Sequence, residues 1–322
     1  LGAIHLYLKL RRLDAEPILG SIVWERLPVD PNPGPAPIEN LVGGRRLGST
    51  SALVSGGEVV VRGGVSFKPQ VVRAAEVLGS EALYIDASKG PQGIAEALRD
   101  AAVELGVDVV VALDSGGDAL AAGCEESLWS PLADAMSLNA LLKFPGERLL
   151  AVHGLGTDGE LPRSYLLARL SELASRGGVI EIAGMSRGEA AMLRKVLDRF
   201  ESEASKAPVE AFLGALGARC IRRGTRRIEL DLLQAATIIV DPDRLAEMTE
   251  MPGIVEGARS VEEASKMMNS KCIYTELDLE KDLAYGRATS PEEARRRGRE
   301  RLLASGCKPL KCPQYYSNHD YV

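Results

Sequence analysis

The chain predicts an α/β architecture, a Rossmann-like three-layer fold with a mainly parallel sheet, and three features of its 322 residues lead there. Short apolar runs alternate with longer amphipathic stretches between Ala82 and Phe200, the rhythm of repeated β-α units. The runs are continuously apolar, as in Val109-Val-Val-Ala-Leu113, which suits strands buried on both faces of a parallel sheet. Each run opens into a glycine-bearing loop, three of the four also carrying Asp, at the strand end where open α/β sheets place their ligands.

Taken in order, the opening segment spaces Ile4, Leu8 and further leucines as a mostly buried helix, and 17–24 reads as a strand. Together they look like the back half of a β-α-β unit whose first strand and turn are expected ahead of Leu1. Pro28, Pro31, Pro33, Pro35 and Pro37 exclude regular structure and make a loop over the strand ends. A strand over 58–62 and a helix over 69–78, closed by Gly79, come next. The strand over 82–86 leads through Asp86-Ala-Ser-Lys-Gly90 into a helix over 91–105, stopped by Gly106. After the central strand, Ser130 is placed to cap and Pro131 to open a helix to Leu142 that is apolar on most faces and therefore deeply buried. Asp134, near its start, is expected to be buried or half-buried beside the 115–118 loop, because a buried carboxylate needs partners.

A third strand over 148–153 runs into Gly154-Leu-Gly-Thr-Asp-Gly-Glu160 and a helix over 162–175. A fourth, over 178–182, is followed by Gly184-Met-Ser-Arg-Gly188, where Ser186 and Glu189 have capping-box spacing at the start of a helix to Phe200. Beyond Ser205 the periodicity becomes irregular. The α/β core is accordingly expected to span 1–205, with 206–322 a mixed, largely helical part packed on the sheet edge within the same domain.

A net charge of −6 argues against nucleic acid or an anionic membrane surface as partner and leaves a small molecule, with a homo-oligomer compatible. No run of eighteen apolar residues and no signal-peptide layout occur, so a soluble cytoplasmic protein is expected. Five scattered cysteines read as free thiols; Cys307, Cys312 and His319 are an alternative zinc trio without an evident fourth ligand. Five Asn and four Gln, with abundant Arg, Glu and Leu, lean towards a thermophilic source.

In a parallel sheet the four loops would share one edge, forming an acidic crevice with open backbone donors. Asp114, Asp118, Asp158 and His153 are the candidate catalytic groups, and Asp114 and Asp118, held by one short glycine loop, are the candidate ligands for Mg²⁺. Ser115, Gly116, Gly117, Gly154, Gly156, Thr157, Gly159 and Glu160 would line the crevice, joined by Glu25, Arg26, Asp86 and Ser88 from neighbouring strand ends. A turn-capping Asp114 and a satisfied core His153 are the alternative readings. Gly154-Leu-Gly156 is half of a dinucleotide fingerprint; the third glycine and the ribose-binding acid are not in place, so neither nicotinamide nor flavin is expected. The resulting expectation is an enzyme on a small anionic metabolite, phosphorylated or a nucleotide, assisted by Mg²⁺. A lyase acting on an amino acid and a non-catalytic ligand sensor are its rivals.

Trp24-Glu25-Arg26, Asp114-Ser-Gly-Gly-Asp118 with Ser130-Pro-Leu-Ala-Asp134, and Gly154-Leu-Gly-Thr-Asp-Gly-Glu160 together resemble an archaeal family known as domain of unknown function 1152. The resemblance covers most of the chain and implies kinship without a reaction. Asp114-Ser-Gly-Gly-Asp118 is also faintly similar to the Gly-Asp-Gly-Gly-Asn-Glu loop of D-glutamate cyclases, with Asp118 where Asn is expected, and that likeness implies lyase chemistry.

Overall fold

A computed structural model describes residues 1–316. The first third holds β1 (Leu19–Ile22), β2 (Leu41–Val42), β3 (Arg45–Arg46), β4 (Ser51–Val54), β5 (Val59–Arg62), β6 (Val65–Phe67) and β7 (Ala82–Ile85). The rest adds β8 (Val109–Ser115), β9 (Glu147–His153), β10 (Val179–Gly184), β11 (Gly217–Ile221), β12 (Arg226–Leu230) and β13 (Ala236–Val240). Helices cross between them where glycine and proline punctuate the sequence. Gly79 (φ 62°) and Gly106 (φ 67°) close their helices in the left-handed conformation, Pro131 opens its helix, and Ser186 with Glu189 forms a capping box.

The class is α/β, but the expected single, mainly parallel sheet gives way to two mixed four-stranded sheets, β1-β7-β4-β3 and β10-β13-β9-β8. In them only β1 with β7 and β8 with β9 pair in parallel; β4 and β13 enter antiparallel. β13 is the decisive departure. It comes from the irregular last third, expected at the sheet edge, yet it lies between β9 and β10. Because β13 is antiparallel to both, β8, β9 and β10 still run the same way, with Ser115, His153 and Gly184 towards one shared edge. Asp86 follows β7 in the other sheet, so the four loops do not share one sheet edge.

β8 is an outer strand of its sheet rather than a fully covered central one: Val109 is 39% exposed and Val110 to Leu113 are half-buried. Among the described strands β1 and β8 are each unpaired on one side, and helix Gly2–Arg11 packs against both. His5 in that helix meets Glu189, with Nε2 and Oε2 3.2 Å apart, a partner far outside helical spacing. At the other end of the sheet β10 exposes Ile180 and Ile182, with Glu181 between them and a register break at Val179/Glu181.

The cysteines are not free thiols, as the sequence suggested, save one. Cys124 pairs with Cys312 and Cys272 with Cys307, at Cα separations of 5.5 and 5.3 Å; Cys220 is exposed and unpaired. Sequence separations of 188 and 35 residues hide these pairs from inspection of spacing. They also remove the zinc trio, since Cys307 and Cys312 are bonded to different partners; His319 lies outside the described residues. No described helix is long and apolar enough to cross a membrane.

Candidate functional site

The loop after β8 is built for close approach. Gly116 (φ 127°) and Gly117 (φ 109°) adopt backbone that favours glycine, and a Cβ on Gly116 would sit 2.4 Å from Cγ of Asp158. Gly116 N–H donates to the His153 carbonyl at 3.0 Å and Gly156 N–H donates to the Gly116 carbonyl at 2.6 Å, stitching the loops after β8 and β9 together. Asp114 accepts the Ala119 N–H at 3.1 Å and so also caps the short turn Asp118–Leu120. Gly116→Ala is expected to destabilise the protein by about 2–4 kcal/mol, combining unfavourable φ with overpacking. An unshifted chemical-denaturation midpoint would show that the Asp158 loop yields freely.

Carboxyl groups converge on this loop in two overlapping trios. Asp114, Asp118 and Asp134 each offer an oxygen within 4.8 Å of the others, as do Asp118, Asp158 and Glu160. Asp134 is half-buried and the other four are buried. Their environments differ. Glu160 accepts hydrogen bonds from Trp129 N–H (2.7 Å), Ser130 N–H (3.0 Å), Ser130 Oγ (2.7 Å) and Arg222 Nη1 (3.2 Å). Burial acts to raise its pKa, but Arg222 and these donors together hold it below the usual carboxylate value. The Asp158 Oδ2, in contrast, is buried with no hydrogen-bond partner among the described residues. Burial first, then Glu160 and Asp114, push Asp158 up to about 8; burial raises Asp114 to about 6. Asp118 and Asp134 are raised well above normal by burial and by each other's neighbours in the cluster. Glu276, which accepts the Leu132 and Ala133 N–H groups at 3.0 and 2.7 Å, is also raised, to about 8. The carboxyl cluster is crowded and under-compensated, the condition a hard divalent cation relieves.

Several predicted residues take other work. His153 is buried at the strand end; its Nδ1 lies 2.8 Å from Thr237 Oγ1, and burial followed by His5 lowers its pKa to about 3. It is therefore neutral, with Nε2 unpaired among the described residues. The Thr157 hydroxyl donates to the Gly154 carbonyl at 2.7 Å rather than facing outward. Ser115 continues the pairing of β8 with β9, and Gly154 (φ 68°) and Gly156 (φ 78°) shape the second loop. Gly159 lets that loop touch β12, since a Cβ there would lie 3.0 Å from Cβ of Arg226. Glu25 accepts the Gln70 N–H at 2.7 Å at the start of helix Gln70–Leu78. Asp86 accepts N–H groups from Ile38 (2.9 Å) and Ser88 (2.7 Å), so this pair shapes its own loop. Arg26 is exposed and lies in the field of Arg222, Glu203 and Glu160. Ser130 makes no capping bond; its hydroxyl meets Asp118 (3.0 Å) and Glu160.

Sequence reasoning missed the arginines that lie beside the acids. Arg222 opens the turn after β11 and Arg226 begins β12, and their hairpin lies against Glu160 and Gly159. The Arg226 guanidinium stacks 3.6 Å over the Trp129 ring, and Arg295 lies 5.0 Å from the same ring. The Arg222-Arg-Gly-Thr-Arg226 cluster was the available signal, but nothing local ties it to a loop sixty-odd residues earlier.

The family model described as protein of unknown function (DUF1152) matches residues 1–284. The chain belongs to this family. The match spans every carboxyl group of the cluster together with Arg222 and Arg226, whereas Arg295, Cys307 and Cys312 lie beyond it. UDP-N-acetylglucosamine 1-carboxyvinyltransferase of Zymomonas mobilis is similar over part of its length, 30% identical over 163 residues. That stretch is 44% of this chain and 38% of the transferase, so the chain spans well under half of this curated relative. No solved structure matches.

Proposed function

We propose that this DUF1152 protein is an enzyme that binds a small anionic metabolite, phosphorylated or a nucleotide, with Mg²⁺ held by Asp114 and Asp118. The observation that carries the reading is Asp158, 4% exposed, with Oδ2 unpartnered among the described residues, inside a cluster shared with four further carboxyl groups. An unpaired buried acceptor costs about 1–3 kcal/mol, and a cation with its water shell supplies what it lacks. Asp118 belongs to both trios, so it is the natural bridge between ion and crevice. Similarity to a transferase named for a UDP-sugar is in keeping with an anionic substrate and adds nothing about the reaction. A cytoplasmic, thermophilic and archaeal setting is part of the proposal. The two disulfides agree with it, because intracellular proteins of hyperthermophiles are a disulfide-rich exception among cytosolic proteins.

Calorimetric titration with Mg²⁺ and Mn²⁺ tests the reading. Asp118→Asn is expected to weaken binding more than Asp158→Asn, by about tenfold or more. Indifference of wild type and both variants to the ions would remove the cation and favour a ligand whose amine meets the carboxylates, as in the lyase alternative.

A further inference from the structure

We propose that the β11–β12 hairpin is the phosphate-reading half of this site: Arg222 and Arg226 take a phosphate dianion of the substrate, while the ion held by the acids meets the same group from the other side. The inference rests on the Mg²⁺ reading above and names the chemical class of the metabolite. Both arginines keep a buried Nε with no hydrogen-bond partner among the described residues. Arg222 spends Nη1 on Glu160, and its backbone N–H donates to Glu203 at 2.6 Å at a left-handed φ of 52°, so the turn that presents it is anchored on both counts. Arg226 is fixed differently, by stacking on Trp129, which uses the face of the guanidinium and leaves its in-plane N–H groups for an acceptor. The hairpin is short, Ile221 pairing directly with Arg226, so the two guanidinium groups repel one another.

Unsatisfied buried groups of both signs thus share one neighbourhood, Asp158 Oδ2 and the two Nε–H donors, with Asp158 in the field of Arg222 and Arg226 in the field of Asp158. A lone cation satisfies only the first, and a lone anion only the second. A carboxylate carries one charge and two oxygens. A phosphate carries nearly two charges and enough oxygens to accept from two guanidinium groups while ligating a metal. That stoichiometry favours phosphate. Gly159 contributes by omission, since a side chain there would displace Arg226 from the loop that carries Asp158.

The test titrates the full chain calorimetrically with inorganic phosphate in saturating Mg²⁺, using wild type, Arg226→Gln and Arg226→Lys, with acetate as the carboxylate arm. Mg²⁺ alone is titrated into each protein first. Expected is phosphate binding by wild type that Arg226→Gln weakens about ten- to a hundredfold and Arg226→Lys restores in part, with Mg²⁺ affinity not weakened in either variant, since losing a cation near the acids favours the ion. Acetate should bind far more weakly than phosphate. Equal phosphate affinity in wild type and Arg226→Gln, acetate binding as tightly as phosphate, or no phosphate binding by a wild type that does bind Mg²⁺ would each overturn the inference and leave the metal reading standing. Phosphate bound through Arg226 without any Mg²⁺ binding would retain the hairpin's role and sink the metal reading instead.

Discussion

Reducing the two disulfides is expected to lower the thermal midpoint by on the order of 10 °C, the largest stability effect open to a solution change short of denaturant. Cys124–Cys312 closes a loop of 188 residues, for which the chain-entropy argument gives about 5 kcal/mol; Cys272–Cys307 closes one of 35, worth about 4 kcal/mol alone. The loops overlap in sequence, so the two do not simply add. The bonds also hold the chain's end against working parts of the molecule, since Cys124 lies in the segment that runs from Asp118 to Trp129. Scanning calorimetry with and without a phosphine reductant, alongside thiol counting, checks this. One thiol, Cys220, should react in the native oxidised protein and five after reduction and unfolding. A midpoint that moves by no more than about 1 °C on full reduction would contradict the role given to these bonds.

Asp118→Asn is expected to have opposite effects with and without Mg²⁺. In metal-free buffer the variant gains about 1–3 kcal/mol over wild type at alkaline pH, because it removes one of several buried carboxylates that repel each other. With millimolar Mg²⁺ the order reverses, because wild type is stabilised by the bound ion and the variant is not. The pH dependence has a definite sign. Asp158 has a folded pKa of about 8 and Asp114 of about 6, both above the unfolded carboxylate value near 4. Between pH 4 and those values the folded state holds protons that the unfolded chain has lost. Metal-free stability therefore falls as pH rises through that window, by about 1.4 kcal/mol per pH unit for each such group. Mg²⁺ displaces those protons and should flatten or invert the slope. Urea midpoints at pH 5, 7 and 9, with and without Mg²⁺, decide it. Metal-free stability that rises from pH 5 to 9 would mean that the acids are not the strained cluster described here.

What could be read from the chain beforehand was what depends on neighbours in sequence. Gly79 and Gly106 stop helices because left-handed closure is a property of a few adjacent residues, and Ser186 with Glu189 caps one for the same reason. Asp114, Asp118 and Asp158 stood out because glycines beside acids at strand ends are uncommon choices, and all three converge on one loop pair. The order of strands was not legible. β13 has the composition of any short apolar strand, and only long-range pairing puts it between β9 and β10. β8 looked like a fully covered strand because apolar content does not report which neighbours are present. Arg222, Arg226 and Trp129 were invisible as a group, since stacking and ion pairing across such separations leave no mark on spacing.

The rim formed by β10 bears on how the molecule behaves in concentrated solution. An outer strand with Ile180 and Ile182 uncovered is a template on which another extended chain could grow, backbone to backbone. Two small features stand in the way. Glu181 sets a charge between the isoleucines, and the register break at Val179/Glu181 keeps the strand from lying flat. Colloidal stability at this rim consequently rests on a single carboxylate and a one-residue irregularity, a narrow safeguard for a surface this apolar.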